Sequence, residues 1–240
     1  MSSIADTTSL DDWINQLFQH RDLLGMGHAQ RRSDRNLGLG WLYYAMGRIL
    51  RPSRAVVVGS YRGFVPLVLA RALADNGEGG QVHFIDPSLV DDFWKDTSAV
   101  QDYCRSLGCE NITHYLMTTQ QFVESETYCE FKETGIVFID GFHSGEQARF
   151  DFEAFADKLA PEGMILLHDS IWHLPSRLYG PGREYIHSVS DFVADLKRRS
   201  EWQVLDFPFG DGVSLVRRTT MPPPPKNRQP KATKTYGLDP

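Results

Sequence analysis

Five side chains stand where they could do chemistry: Asp86, Asp140, His143, His168 and Asp169. Three of them close short apolar runs. These are Val82-His-Phe-Ile-Asp86, Gly135-Ile-Val-Phe-Ile-Asp140 and Met164-Ile-Leu-Leu-His-Asp169. Such runs, bounded by glycine or proline, suit strands buried on both faces of a parallel sheet. In an open α/β sheet, ligands bind beyond the carboxyl ends of the strands, so these acids are expected to open onto one crevice. Two carboxylates and an imidazole converging there, from Asp140, His168 and Asp169, could hold a divalent metal. Oxygen donors favour magnesium or manganese, and His168 would tolerate a softer ion. His143, three residues past Asp140, can lean over the same place as a general base, a task suited to a side chain that titrates near neutrality. The competing role for Asp140 and Asp169 is to cap the segments that follow them.

The element that must position these groups runs from Arg54 to Pro87. Ala55-Val-Val-Val58 is a β-branched run that stops at Gly59, and Gly59 and Gly63 bracket a tight turn. Pro66 falls in a first helical turn, and Leu67, Leu69, Ala70, Leu73 and Ala74 continue as a helix with an apolar face. After Gly77, Gly79 and Gly80, a second strand from Gln81 to Ile85 ends at Asp86 and Pro87. Strand, glycine turn, helix, strand and acid form a nucleoside-binding βαβ unit. The turn presents backbone N–H groups and a helix N-terminus to an anionic group, and the acid can accept both hydroxyls of a ribose.

Further strands are expected at about Asn111–Met117, Gly135–Asp140, Met164–Leu167, Trp202–Phe207 and Val213–Val216, with helices between them. The alternation predicts an α/β domain: a doubly wound, mostly parallel seven-stranded sheet of Rossmann-like type with an antiparallel edge. Two N-terminal helices precede it, one after the candidate cap Ser9 and one over about 36–50. The loop 170–187, with Trp172, His173, Tyr179, Gly180 and Gly182, exceeds the usual connection and reads as a lid or binding loop. Trp41, Tyr43, Trp172 and Tyr179 are candidates for an acceptor pocket. The organisation is a helical cap over 1–50, a ligand-binding domain over 51–218 and a proline-rich basic tail over 219–240 with too little apolar surface to order itself.

Across roughly 54–216 the chain resembles the class I S-adenosylmethionine-dependent methyltransferases. Gly59-Ser-Tyr-Arg-Gly63 is similar to their methionine-contacting loop, and Asp86 to the acid that binds the adenosine ribose. Phe138-Ile-Asp-Gly-Phe-His-Ser followed by Leu-Ala-Pro-Glu-Gly and Leu-His-Asp is similar to small-molecule O-methyltransferases, including enzymes acting on sugars of natural products. The resemblance implies S-adenosyl-L-methionine contacts at Gly59, Ser60, Tyr61, Gly63, Asp86, Pro87, Thr118 and Asp140. It also implies magnesium at Asp140, His168 and Asp169, and a base at His143. The chain departs from the pattern in four places. Val57 stands where many of these enzymes carry an acid, Phe64 and Val65 replace the small polar residues common after the second glycine, Thr118-Thr119-Gln120 lacks the acid usual near the adenine, and His168 replaces a carboxylate. That last change removes one negative charge and should weaken magnesium. Two other functions fit the βαβ unit: a nicotinamide-dependent oxidoreductase, and a methyltransferase-like protein that binds the cofactor without turnover.

Composition narrows the partners. The formal charge of −6 over 240 residues argues against nucleic acid, and no apolar run is long enough to span a bilayer. The three cysteines form no C-x-x-C pair, which fits a reducing cytoplasm, and the N-terminus lacks the pattern of a signal peptide. The expected partner is a small-molecule acceptor, with a homo-oligomer left open.

Overall fold

The structure is a computed structural model that describes residues 8–24 and 27–219. The tail expected to be disordered lies, beyond Thr219, outside the described residues. Helix α1 (Leu10–Leu17) starts where expected, with the Ser9 hydroxyl accepting from the Asp12 N–H at 3.1 Å. Helix α2 (Gly40–Leu50) begins later than the apolar spacing predicts. Arg31 and Asn36 exchange two backbone hydrogen bonds of 2.9 Å, and this turn occupies the chain ahead of it.

The central unit is β1 (Arg54–Val58), α3 (Phe64–Asn76) and β2 (Gln81–Ile85). Next come α4 (Thr97–Ser106), β3 (Ile112–Tyr115), α5 (Thr119–Val123) and α6 (Glu126–Glu130). Ser125 separates α5 from α6 and caps α6 by accepting from the Tyr128 N–H. The second half holds β4 (Thr134–Ile139), α7 (Gly145–Ala156) and β5 (Leu159–His168). Strand β5 starts ahead of the expected Met164 and takes in Pro161–Gly163, where the pairing with β4 shifts register. The long loop folds back as a short ribbon of β6 (Pro175–Ser176) and β7 (Tyr185–Ile186). Helix α8 (Val189–Lys197) and strands β8 (Trp202–Phe207) and β9 (Val213–Arg218) complete the domain.

The seven main strands lie in the order β3-β2-β1-β4-β5-β9-β8. All pairs from β3 to β5 are parallel, and β9 runs antiparallel to both β5 and β8. The reversed strand therefore lies one place in from the edge. In β1, Ala55 and Val57 enter one hydrophobic core while Val56 and Val58 enter the other. This period of two is what a central strand covered on both faces requires. Helices α1 to α4 cover the first face, α5, α7 and α8 the second. Trp13, Ile14, Leu17 and Tyr43 belong to the same core as the sheet, so the N-terminal helices pack as part of the domain.

Candidate active site

The strands β1, β2, β4 and β5 end at one crevice, where a cavity of about 440 Å³ opens. That volume falls within the usual range for small-molecule sites. Gly59, Ser60, Tyr61, Asp86, Pro87, Thr118, Asp140, His143, His168 and Asp169 all line it. Gly63 does not; at a φ of 86° it sets the turn into α3.

Gly59 is fixed by close approach. Its φ is 69°, and a Cβ there would sit 2.4 Å from the Asp140 carbonyl oxygen. The Asp140 N–H donates to the Val58 carbonyl at 2.8 Å, which brings the ends of β1 and β4 together at this point. Tyr61 also takes a left-handed φ, of 41°, and its carbonyl accepts from the Trp94 indole N–H at 2.7 Å. At the end of β2, burial pushes the Asp86 carboxyl up to about 6, with backbone hydrogen bonds from Ser88 and Ser60 opposing. The Ser88 N–H donates to Asp86 Oδ1 at 2.7 Å, which fixes the orientation of the carboxylate. Thr118 reaches the cavity wall, but its hydroxyl is engaged as the cap of α5 and accepts from the Gln121 N–H.

Asp140 and Asp169 cap no helix; α7 is capped by Ser144. They are the acidic centre of a cluster with four histidines. Asp140 Oδ1 lies 2.9 Å from His168 Nδ1 and 3.2 Å from His143 Nε2, and Asp140 Oδ2 lies 3.6 Å from His28 Nε2. Asp169 Oδ1 lies 3.0 Å from His168 Nδ1, and its Oδ2 lies 2.9 Å from His143 Nδ1 and 2.6 Å from His187 Nδ1. Burial works to raise both carboxyls, yet the imidazoles outweigh it and hold both below the usual range. Burial works to lower His143 and His168, and the two carboxylates outweigh it in turn: His143 rises to about 9 and His168 well above its ordinary value. His28 differs. Burial, with help from His168, lowers it to about 3, so its ring is neutral beside the Tyr43 hydroxyl at 3.1 Å. The carboxylates and the imidazoles of this cluster thus favour each other's charged forms.

Both nitrogens of His143 face a carboxylate, and this is what raises it against the effect of burial. Among the proposed acceptor aromatics, only Tyr179 lines the cavity. Tyr43 is buried in the core, while Trp41 and Trp172 lie exposed outside the cavity. Phe142, which does line it, stacks on Tyr185 at 4.4 Å with the rings 12° from parallel. The sequence reading missed His28 and His187. Both lie in irregular segments far along the chain from the strand ends, and no local pattern marks either one. Gly27 is tied to this cluster, since a Cβ there would meet the His168 ring at 2.8 Å.

The donor set does not fit magnesium. Magnesium takes oxygen ligands and keeps several waters. Here each carboxylate of the cluster is crowded by imidazole nitrogens, and His168 has both ring nitrogens buried without an acceptable hydrogen bond.

The strand order and this crevice can be set beside known proteins. Residues 56–170 match a family described as "Methyltransferase domain". Over those residues, a little under half of the chain, the sequence is similar to that family. No curated protein sequence matches the chain. Solved structures do. An O-methyltransferase from Streptomyces achromogenes, TomG, involved in tomaymycin synthesis and bound to S-adenosylmethionine, is 15% identical with a TM-score of 0.61. It covers 89% of this chain and 92% of its own. An O-methyltransferase from Bacillus cereus in complex with S-adenosylhomocysteine is 12% identical, with a TM-score of 0.60 and coverage of 86% and 89%. The S-adenosylhomocysteine-bound methyltransferase PaMTH1 from Podospora anserina is 17% identical, with a TM-score of 0.60 and coverage of 87% and 88%. At these identities the likeness is one of fold. The reversed β9 also separates this sheet from dinucleotide-binding sheets, whose six strands run 3-2-1-4-5-6.

Proposed function

We propose that this methyltransferase moves the methyl group of S-adenosylmethionine onto a hydroxyl oxygen of a small molecule, with a sugar or other natural product as the acceptor class. One observation carries the reading. The nucleoside-type acid Asp86 and the Asp140–His143 pair line the same cavity, on either side of the Gly59 turn. Asp86 takes the ribose hydroxyls, and the Gly59–Tyr61 backbone takes the methionine end. The sulfonium methyl is already activated, so the protein has to align it with the attacking oxygen, exclude water and accept one proton. The new bond joins oxygen to carbon, the sulfur–carbon bond breaks, and the hydroxyl proton passes to His143. The sulfonium charge works against the proton already held on His143, and so favours its release before transfer. Phe142 and Tyr179 give the acceptor side an aromatic wall.

The same residue supports a second reading, cofactor binding without turnover, because Asp140 and Asp169 raise His143 to about 9, which opposes its acting as a base. Incubation with S-adenosylmethionine and a panel of hydroxylated small molecules, with S-adenosylhomocysteine followed by mass spectrometry, decides between them. Acceptor-dependent product that disappears in His143→Ala supports transfer. Tight cofactor binding with no product from any acceptor supports the second reading.

A further inference from the structure

Asp151 lies on the buried face of α7, only 1% exposed, and it also lines the cavity. Its Oδ1 accepts from the Gln147 side-chain amide at 2.8 Å, whereas its Oδ2 is buried with no hydrogen-bond partner. Burial raises the carboxyl, and Thr119 and Gln147 work to hold it down, but Oδ2 keeps no donor of its own. An unpaired carboxylate oxygen in such a place carries a cost that native interiors avoid. A Cβ on Gly141 would lie 3.8 Å from Oδ2, so this oxygen stands beside the end of β4, at the cavity wall.

The order of the strands says which part of a nucleoside meets it. The ends of β1, β2 and β3 lie side by side, followed in the cavity wall by Gly59, Asp86 and Thr118. With the methionine end at Gly59 and the ribose at Asp86, the base continues toward the space between the start of α5 and α7. There the Thr118 hydroxyl is engaged as the cap of α5, and the Gln120 side-chain amide donates to Gln147 Oε1 at 2.8 Å. The Gln147 nitrogen is then left for Asp151, so the bonds run in one direction from Gln120 through Gln147 to Asp151. The series ends on a carboxylate oxygen, which can only accept. The exocyclic amino group of a purine supplies the missing donor. We infer that Asp151 reads the base of the cofactor: its Oδ2 accepts from the N6 amino group of adenine, a task for which residues 118–120 offer no acid. The inference rests on the nucleoside site proposed above and names the residue that makes it selective for adenine.

The test is calorimetric titration of the full chain at pH 7.5 with S-adenosylhomocysteine and with its 6-deamino analogue, in which purine replaces adenine. Wild type should prefer S-adenosylhomocysteine by roughly 10–100-fold, the worth of one hydrogen bond to a charged group. In Asp151→Ala that preference should vanish: S-adenosylhomocysteine falls to the affinity of the analogue, and the analogue binds as it does to wild type, which also shows that the variant is folded. Asp151→Asn, which keeps the shape and loses the charge, should show a smaller preference than wild type. Equal affinities in wild type, or a preference undiminished in either folded variant, would overturn the inference. So would an equal loss of both ligands in Asp151→Ala, the mark of a purely structural role. Retained S-adenosylhomocysteine binding in those cases would leave the proposed methyl transfer standing, whereas no binding of either ligand to wild type would contradict both.

Discussion

His143 offers a perturbation whose size follows from the structure. Its imidazole lies between Asp140 and Asp169, at 3.2 and 2.9 Å, and these carboxylates push it up from 6.5 to about 9 against the effect of burial. A group raised in the folded state stabilises that state fully below its unfolded pKa, and the contribution is lost as pH rises through the folded pKa. The window is therefore pH 6.5 to 9. The shift corresponds to roughly 3 kcal/mol, at 1.36 kcal/mol per pKa unit. The assay is urea unfolding of wild type and His143→Gln in EDTA at pH 6, 7.5 and 9.5. Burial pushes the Cys104 and Cys109 thiols up to about 11 and 12, so they too weaken the fold at high pH, but they act equally in both proteins. The stability difference between wild type and variant should fall by roughly 3 kcal/mol across the window. Parallel curves would refute the imidazolium assignment.

Other outcomes follow from the same geometry. Asp86→Ala should weaken S-adenosylhomocysteine binding by roughly 2–3 kcal/mol by calorimetry, because ribose hydroxyls would be stranded in a partly buried site. In the wild type, that affinity should fall about tenfold per unit as pH drops below about 6, since the working form of Asp86 is the carboxylate. Gly59→Ala should lower the unfolding midpoint and cost more than about 1 kcal/mol, given a left-handed φ and a 2.4 Å clash with the Asp140 carbonyl. With an acceptor in hand, His143→Ala should lower kcat by about 10²–10⁴-fold with little change in cofactor affinity. The wild-type rate should rise with pH as the imidazolium is lost, and the variant should lack that rise.

Strand ends were the most legible part of the chain. Apolar runs closed by Asp86, Asp140 and His168-Asp169 mark where β2, β4 and β5 stop, and a parallel sheet then brings those residues to one edge. The glycine turn was legible for the same reason, since only backbone geometry is needed to read it. Side-chain partnership was not. That His143 faces Asp169 as well as Asp140 depends on the register of β4 against β5, and that His187 joins them depends on the fold-back of β6 and β7. His28 arrives from a mostly polar segment, 25–35, that glycine breaks and that shows no helix or strand period. Aromatic type alone misplaced Trp41, Tyr43 and Trp172, because a ring serves equally well in a core or on a surface. Thr118 shows the reverse case: its hydroxyl closes a capping box that Gln121 completes, a purely local pattern.

The nucleoside site is the claim on which the rest depends, and one calorimetric comparison tests it most directly. The full chain is titrated with S-adenosylhomocysteine and, separately, with NADH, alongside Asp86→Ala. The account predicts one S-adenosylhomocysteine site per chain, weakened by roughly 30–150-fold in the variant, the equivalent of 2–3 kcal/mol, with no heat from NADH. Absence of S-adenosylhomocysteine binding, or binding of NADH with equal affinity, would contradict it.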